Sequence, residues 1–359
     1  MTGTANARAG LSFFRDRSIA TRFAFYAGSA GWENTEYVEL LASAGEAMGT
    51  EAVVPVVAPP RRRLLHCVIF LVRARPSHFF YDPRWGLQGR VGAQFEGCVI
   101  GATLALIRCV PVSLLNDLPE VNWRKKISLV NGNRGICVVL VDPEIGQIYA
   151  PEIKNQVGPM PMALSMQRLQ YLKKRWRAYE QKPNTGSLKI GFVGSLYEPR
   201  TSILNEAKSR LKPKGLDLVI HGRSLGDPKI GANQYFELLA QAPLTFTTAD
   251  QAQTESTLNF PIHLVYRYIE ALASGTALIA PSVPGAEIYF VPGIHYIECP
   301  DLDYLVEKIP SELSDWKGIE KVREHGRARV EELVAAKFFW TRIDRELASR
   351  GFRKILPKS

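Results

Sequence analysis

The sequence of 359 residues has no long uninterrupted hydrophobic run. Its longest apolar segment, residues 64–72, is interrupted by His66 and Cys67. A membrane-spanning helix needs about 20 consecutive apolar residues, so we expect none here. The first ten residues also lack the apolar stretch of a secretory signal. We therefore expect a cytoplasmic protein.

Cysteine is scarce, and no two cysteines stand in a Cys-x-x-Cys pair. The five cysteines are Cys67, Cys98, Cys109, Cys137 and Cys299. An odd number without paired spacing argues against a disulfide framework and against a zinc ribbon. We expect reduced, mostly buried thiols and no zinc ribbon.

Two phosphate-binding signatures are also missing. The chain contains neither Gly-x-Gly-x-x-Gly, which would favour a nicotinamide cofactor, nor the Gly-x-x-x-x-Gly-Lys-Ser/Thr loop of P-loop ATPases. We therefore predict no cofactor.

Acidic residues are outnumbered, and the net charge is +10 with an isoelectric point of about 9.4. Short basic clusters occur at residues 61–63 and 173–177. Such clusters fit a solvated face, an anionic membrane surface or a nucleic acid. A solvated face is the default interpretation, and contact with a membrane surface is the sharper alternative. No nucleic-acid-binding motif accompanies the clusters, so we expect no nucleic-acid partner.

Buried strands alternate with helical segments along most of the chain, which predicts parallel sheets covered on both faces. A proline-rich break and a basic amphipathic segment interrupt this alternation, which then restarts. We predict an α/β protein with two doubly wound, Rossmann-like domains. Their expected bounds are 1–155 for the first domain, 156–186 for a linker helix, 187–315 for the second domain and 316–359 for a C-terminal helix that packs back across both.

Ligands of parallel sheets bind beyond the carboxyl ends of the strands, so the residues after each strand are informative. Gly194 and Ser195 follow the segment Leu-Lys-Ile-Gly-Phe-Val and precede a helix that carries Arg200. Arg223 follows the next predicted strand. Backbone N–H groups at a glycine turn, a helix N-terminus and arginines all suit a diphosphate.

The segment Arg-Tyr-Ile-Glu-Ala-Leu-Ala-Ser-Gly-Thr-Ala-Leu-Ile-Ala-Pro begins at Arg267. Arg267 and Glu270 stand three residues apart and share one helical face, which is also the spacing of a common surface ion pair. Gly275 is expected to end this helix. Tyr266 and His263 immediately precede it.

This segment, with the Phe-x-Pro-Gly-x-His-Tyr sequence after it, resembles the donor domain of GT-B glycosyltransferases, and is nearest to the CgeB-like branch of the group 1 superfamily. The resemblance covers about residues 186–312. It implies two domains facing across a cleft that binds a nucleoside diphosphate sugar. It also implies that Glu270 holds the ribose and that Gly194 and Ser195 hold the diphosphate. We assign the remaining donor contacts to Arg200, Arg223, His263, Tyr266, Arg267 and Gly275.

Retaining members of that family carry an earlier glutamate that would fall at position 262, where this chain has isoleucine. An inverting enzyme needs a general base instead. Asp82 and Asp117 follow predicted strands of the first domain and are our candidates, although each also fits a turn. His78 and His263 are lesser candidates. Asp301 and Asp303 resemble a metal-binding Asp-x-Asp pair, but we interpret them as a helix cap.

Together these features predict a metal-independent glycosyltransferase that transfers a sugar from a nucleoside diphosphate sugar to a hydroxyl group. The expected acceptor is a glycan or a lipid-linked saccharide in cell-surface polysaccharide or glycolipid synthesis, at the inner face of a membrane. A non-catalytic nucleotide-sugar-binding protein and a nucleotide-sugar epimerase remain open as alternatives.

Overall fold

The computed structural model shows two parallel sheets with helices around them. It describes residues 22–26, 35–56, 63–81, 91–115, 127, 130–132, 135–140, 152–176, 188–224, 227, 230–248 and 264–356. In this part of the chain, no helix is long and apolar enough to cross a membrane.

The first sheet has six parallel strands in the order β2-β1-β3-β4-β5-β6. They are β1 (Phe23–Tyr26), β2 (Val53–Val56), β3 (His78–Tyr81), β4 (Val110–Leu115), β5 (Ile136–Leu140) and β6 (Gln156–Met160). Pro55 lies in β2, at the edge of the sheet, because proline cannot donate a hydrogen bond to a neighbouring strand. β6 lies in the segment that the sequence assigned to the linker.

The second sheet has five parallel strands in the order β11-β10-β9-β7-β8. They are β7 (Leu188–Leu196), β8 (Leu216–Ser224), β9 (Leu244–Phe246), β10 (Ala277–Ala280) and β11 (Ile297–Glu298). The strand order reverses direction around β7 and β9, and ligands of such sheets bind beyond the carboxyl ends at that place.

Helices cover both sheets. They are α1 (Thr35–Met48), α2 (Arg63–Ala74), α3 (Val91–Leu106), α4 (Met166–Trp176), α5 (Arg200–Leu211), α6 (Ala232–Leu239), α7 (Arg267–Ala273), α8 (Leu302–Glu307), α9 (Ile309–Glu312), α10 (Trp316–Val334) and α11 (Ala336–Ser349), with short 3-10 turns at Thr50–Ala52, Lys212–Lys214 and Ala286–Ile288. Helix α2 begins at Arg63, the first described residue after β2 and its flanking gap. The last predicted helix is two helices that meet at Ala335.

The C-terminal helices join the two sheets. Helix α10 packs against α7 and β10 of the second sheet, whereas α11 packs against α1 and β6 of the first. Trp340 of α11 is fully buried, and its Nε1 donates a hydrogen bond to the Oγ of Ser43 at 3.0 Å. Its ring meets the stacked rings of Phe25 and Phe80 edge-on. One hydrophobic core therefore continues from the first sheet into the second.

A buried ion pair also joins the two parts. The Nε of Arg168, in α4, lies 2.8 Å from the Oε1 of Glu39, in α1. The Nη1 of the same arginine donates to the Oδ1 of Asn233, in α6, at 2.8 Å. The hydroxyl of Ser165 donates to the second oxygen of Glu39 at 2.8 Å. Helix α6 of the second sheet is thus connected to α1 of the first through charged hydrogen bonds.

Candidate functional site

Gly194 lies in β7 near the carboxyl edge of the second sheet, where it makes room for an arginine. A Cβ at this position would overlap the guanidinium of Arg267. Gly194 pairs with Gly222, and Ser195 pairs with Arg223, in the register of β7 and β8. A close approach of a charged side chain to the backbone therefore requires glycine at position 194.

Arg267 begins α7, and its guanidinium lies among polar groups at this edge. Its Nη1 donates to the Oγ1 of Thr247 at 3.1 Å, and the guanidinium carbon lies 5.0 Å from the centre of the Phe192 ring. Its Nε is buried and has no hydrogen-bond partner among the described residues. A buried charged N–H without an acceptor is costly, and an anionic ligand would supply one.

Glu270 lies one turn further along α7 and is 6% exposed. Its Oε2 accepts a hydrogen bond from the hydroxyl of Tyr235, in α6, at 2.7 Å. Burial raises the pKa of Tyr235, and the charge of Glu270 raises it further. Burial alone would lower the pKa of Arg267, but Tyr235 and Glu270 outweigh it and the pKa is raised. Tyr235 therefore stays a hydrogen-bond donor and Arg267 stays charged.

Arg200 begins α5 and brings a second cation to the same edge. It is buried, and its Nε donates to the Oγ1 of Thr248 at 2.8 Å. Its Nη1 donates to the backbone oxygen of Ser195 at 3.2 Å, and its guanidinium lies over the ring of Tyr197 at 4.1 Å. The guanidinium groups of both arginines also face the ring of Phe192. The edge therefore concentrates positive charge beside one buried carboxylate.

Sequence reasoning missed three of these residues. Thr247 and Thr248 directly follow β9 and are buried, and each accepts a hydrogen bond from a site arginine. The rule that we applied to β7 and β8, which looks at residues after a strand, would have found them. Tyr235 carried no comparable signal, because it lies inside a helix and meets Glu270 only through the fold.

Other predicted donor contacts lie elsewhere or act differently. The strands β7 and β8 pair as far as Leu196 and Ser224, so Ser195 and Arg223 lie within strands and not in turns. The Nη1 of Arg223 donates to the backbone oxygen of Asp227 at 2.9 Å on the surface. Gly275 follows α7 with a φ of 77° and leads into the amino end of β10, so it ends the helix and lies away from the cluster.

Tyr266 is buried, and its backbone oxygen accepts hydrogen bonds from the first turn of α7. Its side chain belongs to the hydrophobic core. His263 lies outside the described residues, as do the two candidate bases, Asp82 and Asp117. Their roles remain sequence-based predictions.

His78 is in the wrong place for a general base. It begins β3, at the opposite end of that strand from Tyr81, and it is fully buried. Its Nε2 lies 2.8 Å from the backbone oxygen of Arg353. Burial lowers its pKa to about 4. The residue therefore anchors the C-terminal segment as a neutral histidine.

The Asp-x-Asp sequence caps a helix, as the sequence predicted. The Oδ1 of Asp301 accepts a hydrogen bond from the backbone N–H of Tyr304 at 2.7 Å. Asp303 is exposed and pairs with Arg210 at 2.8 Å. Neither aspartate belongs to the cluster at the edge of the second sheet.

Comparison with known proteins matches part of the chain to a family model. Residues 200–336 match the family model described as glycosyl transferase-like, which includes Arg200, Arg267 and Glu270. No curated protein matches the chain.

Several solved structures share the fold along nearly the whole chain. HepE from Anabaena, solved in complex with UDP and glucose, is 11% identical with a TM-score of 0.60, and the match covers 92% of this chain and 100% of that one. Sucrose-phosphate synthase from Thermosynechococcus elongatus is 14% identical with a TM-score of 0.62, covering 92% and 99%. AviGT4, a glycosyltransferase of avilamycin A biosynthesis, is 12% identical with a TM-score of 0.54, covering 91% and 98%.

At these identities the likeness establishes the fold. The chain has the GT-B fold with two Rossmann-like sheets, as the sequence predicted. The matching model does not distinguish a CgeB-like branch, so that assignment stays a prediction.

Proposed function

We propose that this chain is a glycosyltransferase that transfers a sugar from a nucleoside diphosphate sugar to a hydroxyl group of an acceptor. The observation that carries the proposal is the pair Arg267 and Glu270 beside Gly194 at the carboxyl edge of the second sheet. A cation and a buried carboxylate within one turn of a helix match the two ends of a nucleoside diphosphate.

The diphosphate lies against Arg267 and the first turn of α5. The buried Nε of Arg267 offers a charged donor to a phosphate oxygen. Arg200, at the start of the 12-residue helix α5, adds a second positive charge, and the helix N-terminus favours an anion. Arg223 stands beside Ser195 in the register of β7 and β8, but its guanidinium bonds to the backbone at Asp227 on the surface, so we do not include it among the diphosphate contacts.

The ribose lies against Glu270. A carboxylate can accept hydrogen bonds from both ribose hydroxyls, and the hydrogen bond from Tyr235 holds it in place. The burial of Glu270 strengthens such bonds, since little water competes for its oxygens.

During transfer the departing nucleoside diphosphate gains negative charge. Arg200 and Arg267 are positioned to stabilise that charge, which lowers the barrier more than it strengthens binding of the intact donor. We propose that Asp82 or Asp117 removes the proton of the acceptor hydroxyl. This part rests on the sequence, as does the assignment of His263 to the donor site.

The two arginines provide the charge that a metal ion provides in other transferases, so we propose that no metal and no further cofactor is needed. Activity that survives treatment with EDTA would support this, and full loss restored by Mg²⁺ or Mn²⁺ would refute it.

The acceptor is proposed to be a glycan or a lipid-linked saccharide in cell-surface polysaccharide or glycolipid synthesis. Its support is the positive net charge, which favours an anionic membrane surface.

Thermal unfolding in the presence of UDP-, GDP-, ADP- and dTDP-linked sugars tests the donor site. A donor at 100 times its Kd should stabilise the protein by about 2.7 kcal/mol. Glu270→Gln keeps the acceptor oxygen for Tyr235 but removes the charge, and it should weaken donor binding about 30-fold. Glu307→Gln, an exposed glutamate on α8, is the matched control. Absence of stabilisation by every donor would overturn the proposal.

Slow hydrolysis of the bound donor separates an enzyme from a binding protein. A donor that binds with the expected dependence on Glu270 but is neither hydrolysed nor transferred would favour the non-catalytic alternative. Asp82→Asn and Asp117→Asn should spare donor binding, and one of them should stop transfer.

A further inference from the structure

Helices α2 and α3 lie side by side on one face of the first sheet. Their inner faces are buried against that sheet through Cys67, Leu71, Ile100 and Leu104. Each helix connects two parallel strands, so the two helices run in the same direction. We call the outward surface of these two helices the α2–α3 face.

The α2–α3 face is apolar where water is expected. The exposed fractions are 59% for Leu65, 36% for Ile69, 46% for Val72, 64% for Phe95 and 82% for Leu106. The first three follow an i, i+4, i+7 spacing, so they form a single stripe along α2. Cys98 and Ala102 continue the apolar surface between the last two on α3.

A helix over the second sheet shows the usual arrangement. The exposed residues of α5 are all polar: Ser202, Asn205, Glu206, Lys208 and Ser209. The apolar outward surface is therefore a property of α2 and α3 and not of the fold. A contiguous exposed apolar surface of this kind marks an interaction site.

The charge of the sequence segment that carries the α2–α3 face is one-sided. Residues 52–116 contain eight arginines and no lysine, against two acidic residues, Asp82 and Glu96. Arg73, Arg75 and Arg108 are exposed at the C-terminal ends of the two helices. An apolar surface with arginines at its border matches the interface of an anionic bilayer, where apolar side chains enter and cations meet phosphate groups.

We infer that the α2–α3 face docks on an anionic lipid bilayer. A second copy of this chain fits less well, because a twofold contact through this face would bring the arginines of both copies together. The bilayer satisfies both features at once. This deepens the proposed function, which places the acceptor at a membrane, but the docking itself needs no donor.

Sedimentation of the full-length protein with phospholipid vesicles tests the inference. We expect binding to vesicles of phosphatidylcholine mixed with phosphatidylglycerol, and at least tenfold weaker binding to phosphatidylcholine alone. The double variant Leu65→Glu with Ile69→Glu should weaken binding to the anionic vesicles at least tenfold, since charged groups replace inserted apolar ones. Phe338→Glu, at an equally exposed position on α11, is the control and should bind normally.

A cooperative thermal unfolding transition close to that of the wild type, measured without vesicles and without donor, shows that the double variant is folded. Equal vesicle binding by the double variant and the wild type would overturn the docking. So would a concentration-dependent dimer that the double variant abolishes. Neither result would affect the donor site, and a failed donor site would leave vesicle binding unchanged, so the two proposals fail separately.

Discussion

The two sheets bury different chemistry at their edges. The second sheet places Arg200, Arg267 and Glu270 at the carboxyl ends of its strands. There Arg200 donates a hydrogen bond to Thr248, and Glu270 accepts one from Tyr235. The described strands of the first sheet bury mainly aromatic and aliphatic side chains. Both regions nevertheless bury charge: Glu39 and Arg168 form an ion pair between α1 and α4, whereas Arg200 and Glu270 lie where the nucleotide is proposed to bind. A substitution in the ion pair should therefore change the stability of the fold, whereas one in the donor site should change donor binding or catalysis.

Breaking the ion pair that joins the two parts should have the largest effect. Arg168→Ala leaves Glu39 buried without its cation and removes the contact with Asn233. We expect the free energy of unfolding to fall by about 3–5 kcal/mol. Urea denaturation measures it.

The double variant Glu39→Leu with Arg168→Met provides the control for this pair. Replacing both charges by apolar groups should cost less than removing the arginine alone. If Arg168→Ala instead left stability unchanged while donor binding fell, the pair would belong to the donor site and the comparison of the two sheets would need revision.

The next largest effect is expected within the donor site. Arg267→Ala should lower kcat/KM for transfer about 100- to 1000-fold, because a cation aimed at the departing diphosphate is lost. Steady-state kinetics with the donor found by thermal unfolding measure the change. Arg210→Ala removes an arginine of the same domain that forms only surface ion pairs, and should leave kcat/KM unchanged. Equal losses in both variants would indicate a general electrostatic effect and not a site.

The sequence predicted the part of this site that lies next to a strand or within one helix. Gly194, Arg200, Arg267 and Glu270 could be proposed because strand ends and helical spacing are local patterns. Tyr235 could not, since the distance from Glu270 to Tyr235 depends on how α6 packs against α7. The αL end at Gly275 was correct as a helix terminus, but the direction of α7 places it away from the ligand edge.

The alternation of strands and helices could be predicted from the sequence, but the bounds of some elements could not. Alternating strands and helices predicted two parallel sheets, which the structure confirms. β6 was not predicted, because Gly158 and Pro159 make it look like a connector. It is a strand because its backbone pairs with β5, which would otherwise be the outermost strand of the first sheet.

A buried histidine in the first sheet, His78 at the start of β3, should make stability depend on pH. The pKa of His78 is lowered to about 4 from an unfolded value near 6.5, so between these values the unfolded state binds more protons. Its contribution is complete above about pH 6.5 and is lost as the pH falls toward 4, reaching about 2 kcal/mol of loss at pH 5. His78→Gln should remove this dependence in urea denaturation at pH 5 and 7. An unchanged dependence would assign it to other groups.

The smallest expected effect sharpens the account of the donor site itself. In Gly194→Ala the new methyl group overlaps the guanidinium of Arg267, which must move away from the edge of β7. The charge is kept but displaced, so we expect donor affinity to fall about tenfold, or about 1.4 kcal/mol. Isothermal titration of the donor measures it. Gly231→Ala is the matched control, since a methyl group there meets no neighbouring atom and its φ of −65° suits alanine. Equal affinity in Gly194→Ala and the wild type would mean that the diphosphate does not require Arg267 at this edge.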